Sequence, residues 1–406
     1  MTNLSSASKP GFLLPPQPPG PIKWLRDNLF NGWFNSLLTL FSSVVVFFIL
    51  TGFARWAITE ANWEPVIRFP TLYAVGQYPR DELWRVGFGI SALAFLIGAS
   101  WQKWGGVLKG VALFLASVFA VLALLPTSHP QLTVAMRAYF ASVPFIVGLA
   151  YWLARSERFS KRGIIILWMV YPIATLIVLN GVDGIEFLRK VSTTAWGGLL
   201  VTFLLAVGGI LLSFPIGVAL ALGRRSSLPV VSLFSTFFIE TIRGVPLITL
   251  LFMFSVILAL FLPPEARIDR LVRALMAMTF FSAAYTAENV RGGLQSIPPG
   301  QIEAAKALGM NGVQTMGLIV LPQAIRAVIP AIAGQFITLF KDTTLVVIVG
   351  INDLLGIGRS IVNSDPQYVQ AQLEVYLFIA AIFWIFSYFM SLASRRLETS
   401  LGVGKR

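Results

Sequence analysis

The chain lacks cysteine altogether and contains one histidine among its 406 residues. Without cysteine there can be no disulfide bond, no thiolate metal site and no cysteine nucleophile. The single His129 stands beside Pro130 in a short connection between apolar segments. A residue in that setting is more often a loop or interface residue than a metal ligand or a proton relay. The sequence therefore predicts that the chain holds no metal ion of its own.

Charge is also scarce. Only 12% of the residues are charged, 56% are hydrophobic, and the mean hydropathy is +0.77. Water-soluble domains carry about 25% charged residues, whereas hydrocarbon does not solvate charge. The net charge of +13 would suit a nucleic-acid partner, but in so apolar a chain it is better explained by basic cytoplasmic loops. We therefore predict an all-α polytopic membrane protein with the lipid bilayer, and no nucleic acid, as a partner.

Ten apolar runs are long enough to cross about 30 Å of hydrocarbon. The predicted transmembrane helices lie near 35–53, 85–101, 106–125, 138–154, 163–180, 195–222, 243–262, 271–290, 320–341 and 374–393. Because 227–240 is apolar as well, the seventh of them could begin earlier. The last five spans carry all of the recognisable motifs, so the chain divides into five spans plus five spans.

The predicted domain boundaries follow from this division. Residues 1–30 contain six prolines, which favour extended backbone, and are predicted to be a disordered Pro-rich tail. Residues 31–190 form a transmembrane extension, residues 191–396 a core, and residues 397–406 a basic tail.

Lysine and arginine are distributed unevenly between the loops. With the N-terminus in the cytoplasm, nearly every basic cluster falls on the cytoplasmic side. The loops on the opposite side carry charges of both signs or mainly acidic residues. The cytoplasmic group includes Lys103, Arg155, Arg224, Arg291 and Arg395, and the opposite group includes Glu60, Asp183, Glu265, Asp353 and Asp365. Both termini are therefore predicted to be cytoplasmic.

Residues 303–322 read EAAKALGMNGVQTMGLIVLP and lie between two apolar segments. Pro298 and Pro299 suit the start of a short helix, Gly309 suits its end, and Asn311 can start the next segment. The spacing predicts a short helix across the membrane surface, connected to a span at both ends.

This spacing resembles the EAA loop of ABC-importer permeases, the cytoplasmic segment on which ATPase subunits dock. The resemblance implies ATPase coupling for Glu303, Ala304, Ala305, Gly309, Ile319, Leu321 and Pro322.

The flanking sequence AAYTAENVRGGLQSIPPGQIEAAKALG, from Ala283, resembles the polar amino-acid uptake permeases, as do ETIRGVPLI from Glu240 and LFKDTTL from Leu339. The likeness covers roughly 190–400, and the long extension is similar to the larger permeases of the general L-amino-acid systems (the AapM and BztC type). It implies a five-helix importer permease core preceded by a five-helix extension in a bacterial inner membrane. It also implies import of an L-amino acid by alternating access.

By the same resemblance, the partners would be a homologous second permease, giving a heterodimer, an ATPase dimer and a periplasmic substrate-binding protein. A phosphate-binding loop needs Gly-x4-Gly-Lys-Ser/Thr, but the only Gly-Lys pair, Gly404-Lys405, precedes the terminal Arg406. The chain is therefore predicted to be no enzyme and to bind no cofactor, with ATP and magnesium held by the partner ATPase.

Ionisable side chains at membrane depth are costly, which makes them functional candidates. The candidates for the substrate pathway are Tyr285, Glu288, Asn289, Lys341, Asp342 and Arg243. Lys341 could meet the carboxylate of an amino acid, and Glu288 its ammonium group. Alternatively, Lys341 pairs with Asp342 or a neighbouring span, and Glu288 pairs with Arg291 one turn later. Arg243 is expected to mark a break before a span, where it could contact substrate, headgroups or a loop carbonyl.

The segment GINDLLGIGRS, from Gly350, is rich in glycine. This density predicts a re-entrant or short interfacial element on the external side. The resemblance implies that Gly356 and Gly358 belong to an outer gate, although turn chemistry alone would also explain the glycines.

A secondary transporter and a membrane enzyme are the two alternative functional classes. A secondary amino-acid transporter can also contain broken helices and intramembrane charge, but it leaves the EAA pattern unexplained. A membrane enzyme would need carboxylates or histidines clustered near one interface, whereas the acidic residues here are scattered over the loops. The resemblance also implies that the separate binding protein largely determines which amino acids are carried.

Overall fold

The computed structural model describes residues 20–124, 133–263 and 268–402. These residues are almost entirely helical, and β-structure among them is limited to two isolated bridges. The chain divides into two compact units, Met1–Asn62 and Trp63–Arg406.

The first unit contains two helices, α1 (Pro21–Leu29) and α2 (Trp33–Arg55), and a π-helical turn at Trp56–Glu60. At 1.5 Å per residue, the 23 residues of α2 reach about 34 Å, enough to cross a bilayer. The Pro-rich tail predicted for residues 1–30 is wrong over its last part because Pro21 begins a helix, where its missing N–H has no partner to lose. Residues 1–19 lie outside the described residues.

The second unit begins with two short helices and four long ones. They are α3 (Glu64–Arg68), α4 (Pro70–Val75), α5 (Leu83–Trp104), α6 (Val107–Leu124), α7 (Val134–Leu153) and α8 (Lys161–Asn180). The remainder contains a further eleven helices. They are α9 (Gly198–Arg224), α10 (Pro229–Gly244), α11 (Leu247–Phe252), α12 (Leu258–Phe261), α13 (Arg270–Gln295), α14 (Pro299–Ala307), α15 (Gly312–Gln314), α16 (Leu321–Asp342), α17 (Leu354–Val362), α18 (Pro366–Val369) and α19 (Gln372–Leu401). Because α19 extends to Leu401, the predicted basic tail at 397–406 begins as helix.

Eight helices in the described residues are long and apolar enough to cross a membrane, or nine if one bent pair counts as a span. The eighth predicted span, 271–290, corresponds to α13, which carries Arg273, Glu288 and Arg291 and is not among those eight or nine. The all-α membrane fold is therefore confirmed, and the count of ten is approximate.

The prediction of a single span at 243–262 is wrong, because the helical segment there is one arm of a bent helix pair. Here α10 ends at Gly244, and α11, continuing through a π-helical turn (Met253–Ile257) into α12, leaves at an angle of 106°. Proline cannot donate a backbone hydrogen bond and disfavours helical backbone at the preceding residue. Accordingly Val245, just before Pro246, is extended (φ −114°, ψ 134°). The break predicted beside Arg243 is present, but another helix precedes it.

The helices α9 and α13 form the centre of the core and run in the same direction. A methyl group at Gly217 would lie 2.8 Å from the carbonyl oxygen of Ala283, so glycine is what lets the two backbones approach. We call the end of the bundle with Arg224, Gln295 and α14 the α14 end. The opposite end, with Gly198, Arg270 and α17, is the α17 end.

Candidate functional site

The short helix predicted in the EAA segment is present as α14. Pro298 occupies its N-cap and Pro299 its first position. The helix ends in a Schellman motif: the Gly309 N–H donates to the Lys306 carbonyl (2.9 Å) and the Met310 N–H to the Ala305 carbonyl (3.1 Å). Gly309 has φ +76°, a left-handed conformation that glycine adopts without steric cost.

A second helix starts immediately after this turn. Asn311 and Gln314 form a capping box, in which each side chain accepts a hydrogen bond from the other residue's backbone N–H (2.9 and 3.0 Å). Helical backbone then continues over Gly312–Val349, through a π-helical stretch at Thr315–Val320 and α16, and ends in a 3₁₀ helix at Thr343–Val349. The segment therefore joins α14 rigidly to a helix that crosses the whole core.

The seven residues of the EAA pattern divide by burial. Ala305 is buried, and Ile319 and Leu321 are half-buried, so these three hold the segment against the core. Glu303, Ala304, Gly309 and Pro322 are exposed. Beside them stand two apolar side chains that the pattern does not include, Leu308 (82% exposed) and Val313 (84% exposed). Two exposed apolar side chains beside a charged one leave a surface that another protein could cover.

A cluster of five charged side chains lies near the α14 end, between α9, α10 and α13. Glu288 accepts two hydrogen bonds from Nε of Arg291 (2.9 Å each), and Nη1 of Arg224 and of Arg243 lie 3.6 Å from it. Arg224 also contacts Glu240 at 2.9 Å. The predicted Glu288–Arg291 pair is therefore present, and the cluster carries one excess positive charge.

The sequence reasoning missed Arg224 as a member of this cluster. Its only signal was its position among the basic residues after a span, and its contact with Glu288 depends on how α9 packs on α13. The other candidates nearby are half-buried: the Arg243 guanidinium lies over the Tyr285 ring at 5.5 Å from its centroid, and Asn289 follows Glu288 on α13. This arrangement brings Tyr285, Glu288 and Arg243 together, and Asn289 is their neighbour in the sequence of α13.

Lys341 and Asp342, in contrast, lie at the far end of α16. Lys341 is exposed, and the ion pairs within 4 Å in the described part of the chain do not include it or Asp342. Gly293 packs on Ala324, which sets the relative height of α13 and α16. At 1.5 Å per residue, Lys341 and Glu288 are then separated by about 18 Å along the bundle.

That separation limits whether Lys341 and Glu288 can contact the same bound amino acid. The amino nitrogen and carboxyl carbon of one amino acid are only about 2.5 Å apart. Lys341 and Glu288 could contact one bound amino acid only with both side chains extended towards each other, so a shared contact stays a prediction.

The glycine-rich segment contains a short, mostly buried helix, α17, and the prediction that it is a re-entrant or interfacial element on the external side stays a prediction. Gly350 has φ +74° and makes the turn before the helix. Gly356 and Gly358 instead serve helix packing: a methyl group at Gly358 would collide with Ile379 of α19, and one at Gly356 would lie 3.0 Å from Val347 Cγ2. At the N-cap, Asp353 accepts a hydrogen bond from the Gly356 N–H (2.9 Å), while its second carboxyl oxygen is buried without a partner. Burial raises the pKa of Asp353 to about 6.

Among the residues that the structure describes, no three or more His, Cys, Asp or Glu side chains are grouped so that they could hold a metal ion. The charged cluster therefore offers guanidinium and carboxylate groups, which suit a zwitterion or another protein side chain.

The sequence is similar to known transport proteins over nearly its whole length. The family described as "Binding-protein-dependent transport system inner membrane component" matches residues 213–403. The inner membrane amino-acid ABC transporter permease protein YhdY of Escherichia coli (strain K12) is 36% identical over 94% of this chain and 93% of its own. The glutamate/glutamine/aspartate/asparagine transport system permease protein BztC of Rhodobacter capsulatus is 35% identical over 94% of each. The probable glutamine permease GlnP of Bacillus subtilis is 37% identical, but covers 50% of this chain and 91% of its own.

Proposed function

Because this chain belongs to the inner-membrane permeases of binding-protein-dependent ABC importers for amino acids, we propose that α14 is the site where a separate ATPase subunit docks. The observation that carries this proposal is the division of the segment into a buried and an exposed face. Ala305 is buried and Ile302 packs on the core cluster, whereas Glu303, Leu308 and Val313 are exposed. An element fixed on one face and free on the other can accept a partner and transmit its movement.

The path of that movement follows from the covalent and packing connections of α14. A displacement of α14 pulls on the helix Gly312–Val349 through the Schellman turn and the capping box. The far end of this helix packs on α17, with Val347 against Gly356. ATPase closure at the α14 end can therefore shift α17, the proposed outer gate with Gly356 and Gly358.

The full assembly that we propose contains a homologous second permease, as a heterodimer, an ATPase dimer that binds ATP and magnesium, and a periplasmic substrate-binding protein. In it, the chain binds no cofactor and catalyses no reaction, α14 and both termini face the cytoplasm, and α17 faces the periplasm. Residues 31–190 act as the extension and 191–396 as the permease core. BztC, similar over 94% of each chain, supports an L-amino acid as the substrate.

For the substrate pathway we propose two separate polar stations. Tyr285, Glu288, Asn289 and Arg243 form the inner one, and Lys341 with Asp342 the outer one. Because they lie about 18 Å apart along the bundle, an amino acid would meet them one after the other. Glu288 is held by Arg291 at rest, so at the inner station Arg243 is the cation available to a carboxylate.

Co-purification tests the proposed assembly. The chain is extracted gently from its native membrane, and the proteins that accompany it are identified by mass spectrometry. An ATPase and a second permease in stoichiometric amounts are expected. A chain that is isolated alone and transports amino acids in proteoliposomes without nucleotide would contradict the proposal and leave secondary transport as the explanation.

Replacing Lys341 by methionine tests the outer station. A hydrogen bond to a charged group contributes about 1.5–3 kcal/mol, so the KM of uptake should rise by about tenfold if Lys341 meets a carboxylate. The amount of ATPase that co-purifies should stay unchanged. Lys109→Met, at another exposed lysine, on α6, is the matched control. An unchanged KM in Lys341→Met would make Lys341 a structural residue.

A further inference from the structure

Two short helices of the extension pack directly on the proposed gate. We call residues 64–76, which include α3 and α4, the bracket. Its apolar side chains Val66, Phe69, Leu72 and Tyr73 share one cluster with residues of α17 and α19. Tyr73 is 2% exposed and meets Phe378 edge to face, with ring centroids 5.1 Å apart. The α17 members of the cluster are Leu354, Ile357, Ile361 and Val362.

Polar contacts fasten the bracket to the turn that follows α17. Arg68 Nη1 donates to the Tyr368 hydroxyl oxygen (2.9 Å) and contacts Glu64 Oε1 (3.1 Å). The Tyr368 hydroxyl donates to Glu64 Oε1 in turn (3.3 Å). Tyr368 belongs to α18 and is 2% exposed, so this contact lies at the rim of the buried cluster. The bracket thus contacts both α17 and α18, which lies in the segment that connects α17 to α19.

Backbone hydrogen bonds through Gly197 and Gly198 connect the end of the bracket and the start of α17. The Gly197 N–H donates to the Val75 carbonyl (3.1 Å), and the Gly198 N–H donates to the Asn352 carbonyl (3.0 Å). A methyl group at Gly76 would lie 2.5 Å from the Gly197 Cα. Three chain segments therefore meet where no side chain separates them, so the end of the bracket and the residue before Asp353 are both anchored to the start of α9.

We propose that the bracket is a positioning element that holds α17 where this structure has it, so that the extension sets how readily the outer gate moves. The inference rests on the proposed function, in which α17 is that gate. On one side α17 packs against α19, where Gly358 meets Ile379, and on another it packs against the bracket. Outward movement of α17 must break the contacts of Tyr368 with Glu64 and Arg68 or carry the bracket along. Weakening those contacts should increase the open population.

The absence of cysteine from the chain gives a direct measurement. Val362→Cys places one thiol in the buried cluster (4% exposed), where a maleimide reaches it only when α17 moves away. The complete transporter is assembled in lipid nanodiscs, and the labelling rate is measured without substrate. The Val362→Cys background is compared with the same background carrying Tyr368→Phe, which removes only the hydroxyl, or Arg68→Met. Tyr388→Phe, at an exposed tyrosine of α19, is the matched control.

Both bracket variants should raise the labelling rate by about fivefold to tenfold, raise ATP hydrolysis without substrate, and lower uptake; the control should change none of these. Equal labelling rates in the bracket variants and the control would overturn the positioning role and leave the ATPase-driven import intact. Faster labelling with unchanged hydrolysis and uptake would overturn the proposal differently, because α17 would then be restrained by the bracket without being a gate.

Discussion

Gly309→Pro is expected to lower amino-acid uptake by about tenfold or more while the chain still inserts into the membrane. Proline fixes φ near −65°, whereas Gly309 has φ +76° and donates its N–H to Lys306. The substitution therefore removes both the left-handed turn and one of the two hydrogen bonds that end α14. The turn is the mechanical connection between α14 and the helix Gly312–Val349, so an ATPase could dock without moving the core.

A graded series at the same position separates the turn from the rest of the segment. Asparagine tolerates left-handed backbone and should keep most of the uptake. Alanine, for which that conformation costs about 1–2 kcal/mol, should be intermediate. Uptake is measured in vesicles that contain all subunits, membrane levels are compared by immunoblot, and the co-purifying ATPase is quantified. Uptake that is normal in Gly309→Pro would rule out α14 as a coupling element.

The membrane fold was predictable because hydrocarbon thickness imposes a minimum length on every span. The predicted run at 85–101 and α5 (Leu83–Trp104) agree for that reason. The failure at 243–262 has a physical cause as well. Hydropathy records how apolar a segment is and not its direction, so an apolar stretch that turns by 106° at Val245–Pro246 looks like a continuation of a span. Pro246 was the available signal, and it located the break but not the helix before it.

Local signals also explain why α14 was predictable and the other sites were not. Its start and end are encoded within a few residues, by Pro299 and Gly309. The contact of Arg68 with Tyr368, in contrast, joins residues 300 positions apart. Glu288 and Lys341 looked like complementary partners for one amino acid because charge was the only criterion. Their separation of about 18 Å emerged once Gly293 and Ala324 fixed the relative height of α13 and α16.

Glu288→Gln is expected to be the most damaging single change in the charged cluster. It removes the carboxylate that contacts Arg224, Arg243 and Arg291 and leaves three guanidinium groups beside one another. Breaking a buried ion pair costs about 3–5 kcal/mol, but 24–33% of these side chains stays exposed, so about 2 kcal/mol is the expected loss in stability. The measurements are the thermal midpoint of the purified assembly and the uptake rate.

A double variant separates the structural from the transport role of Glu288. Glu288→Gln with Arg291→Gln removes the pair together, so the thermal midpoint should return most of the way towards that of the unmodified chain. If Glu288 also meets the ammonium group of the substrate, uptake should stay at least about tenfold low in the double variant although stability is regained. Glu240→Gln, which loses a half-exposed partner of Arg224, serves as the control and should alter both only slightly. Recovery of uptake together with stability would show that Glu288 acts only as the ion-pair partner of Arg291 and does not meet the substrate.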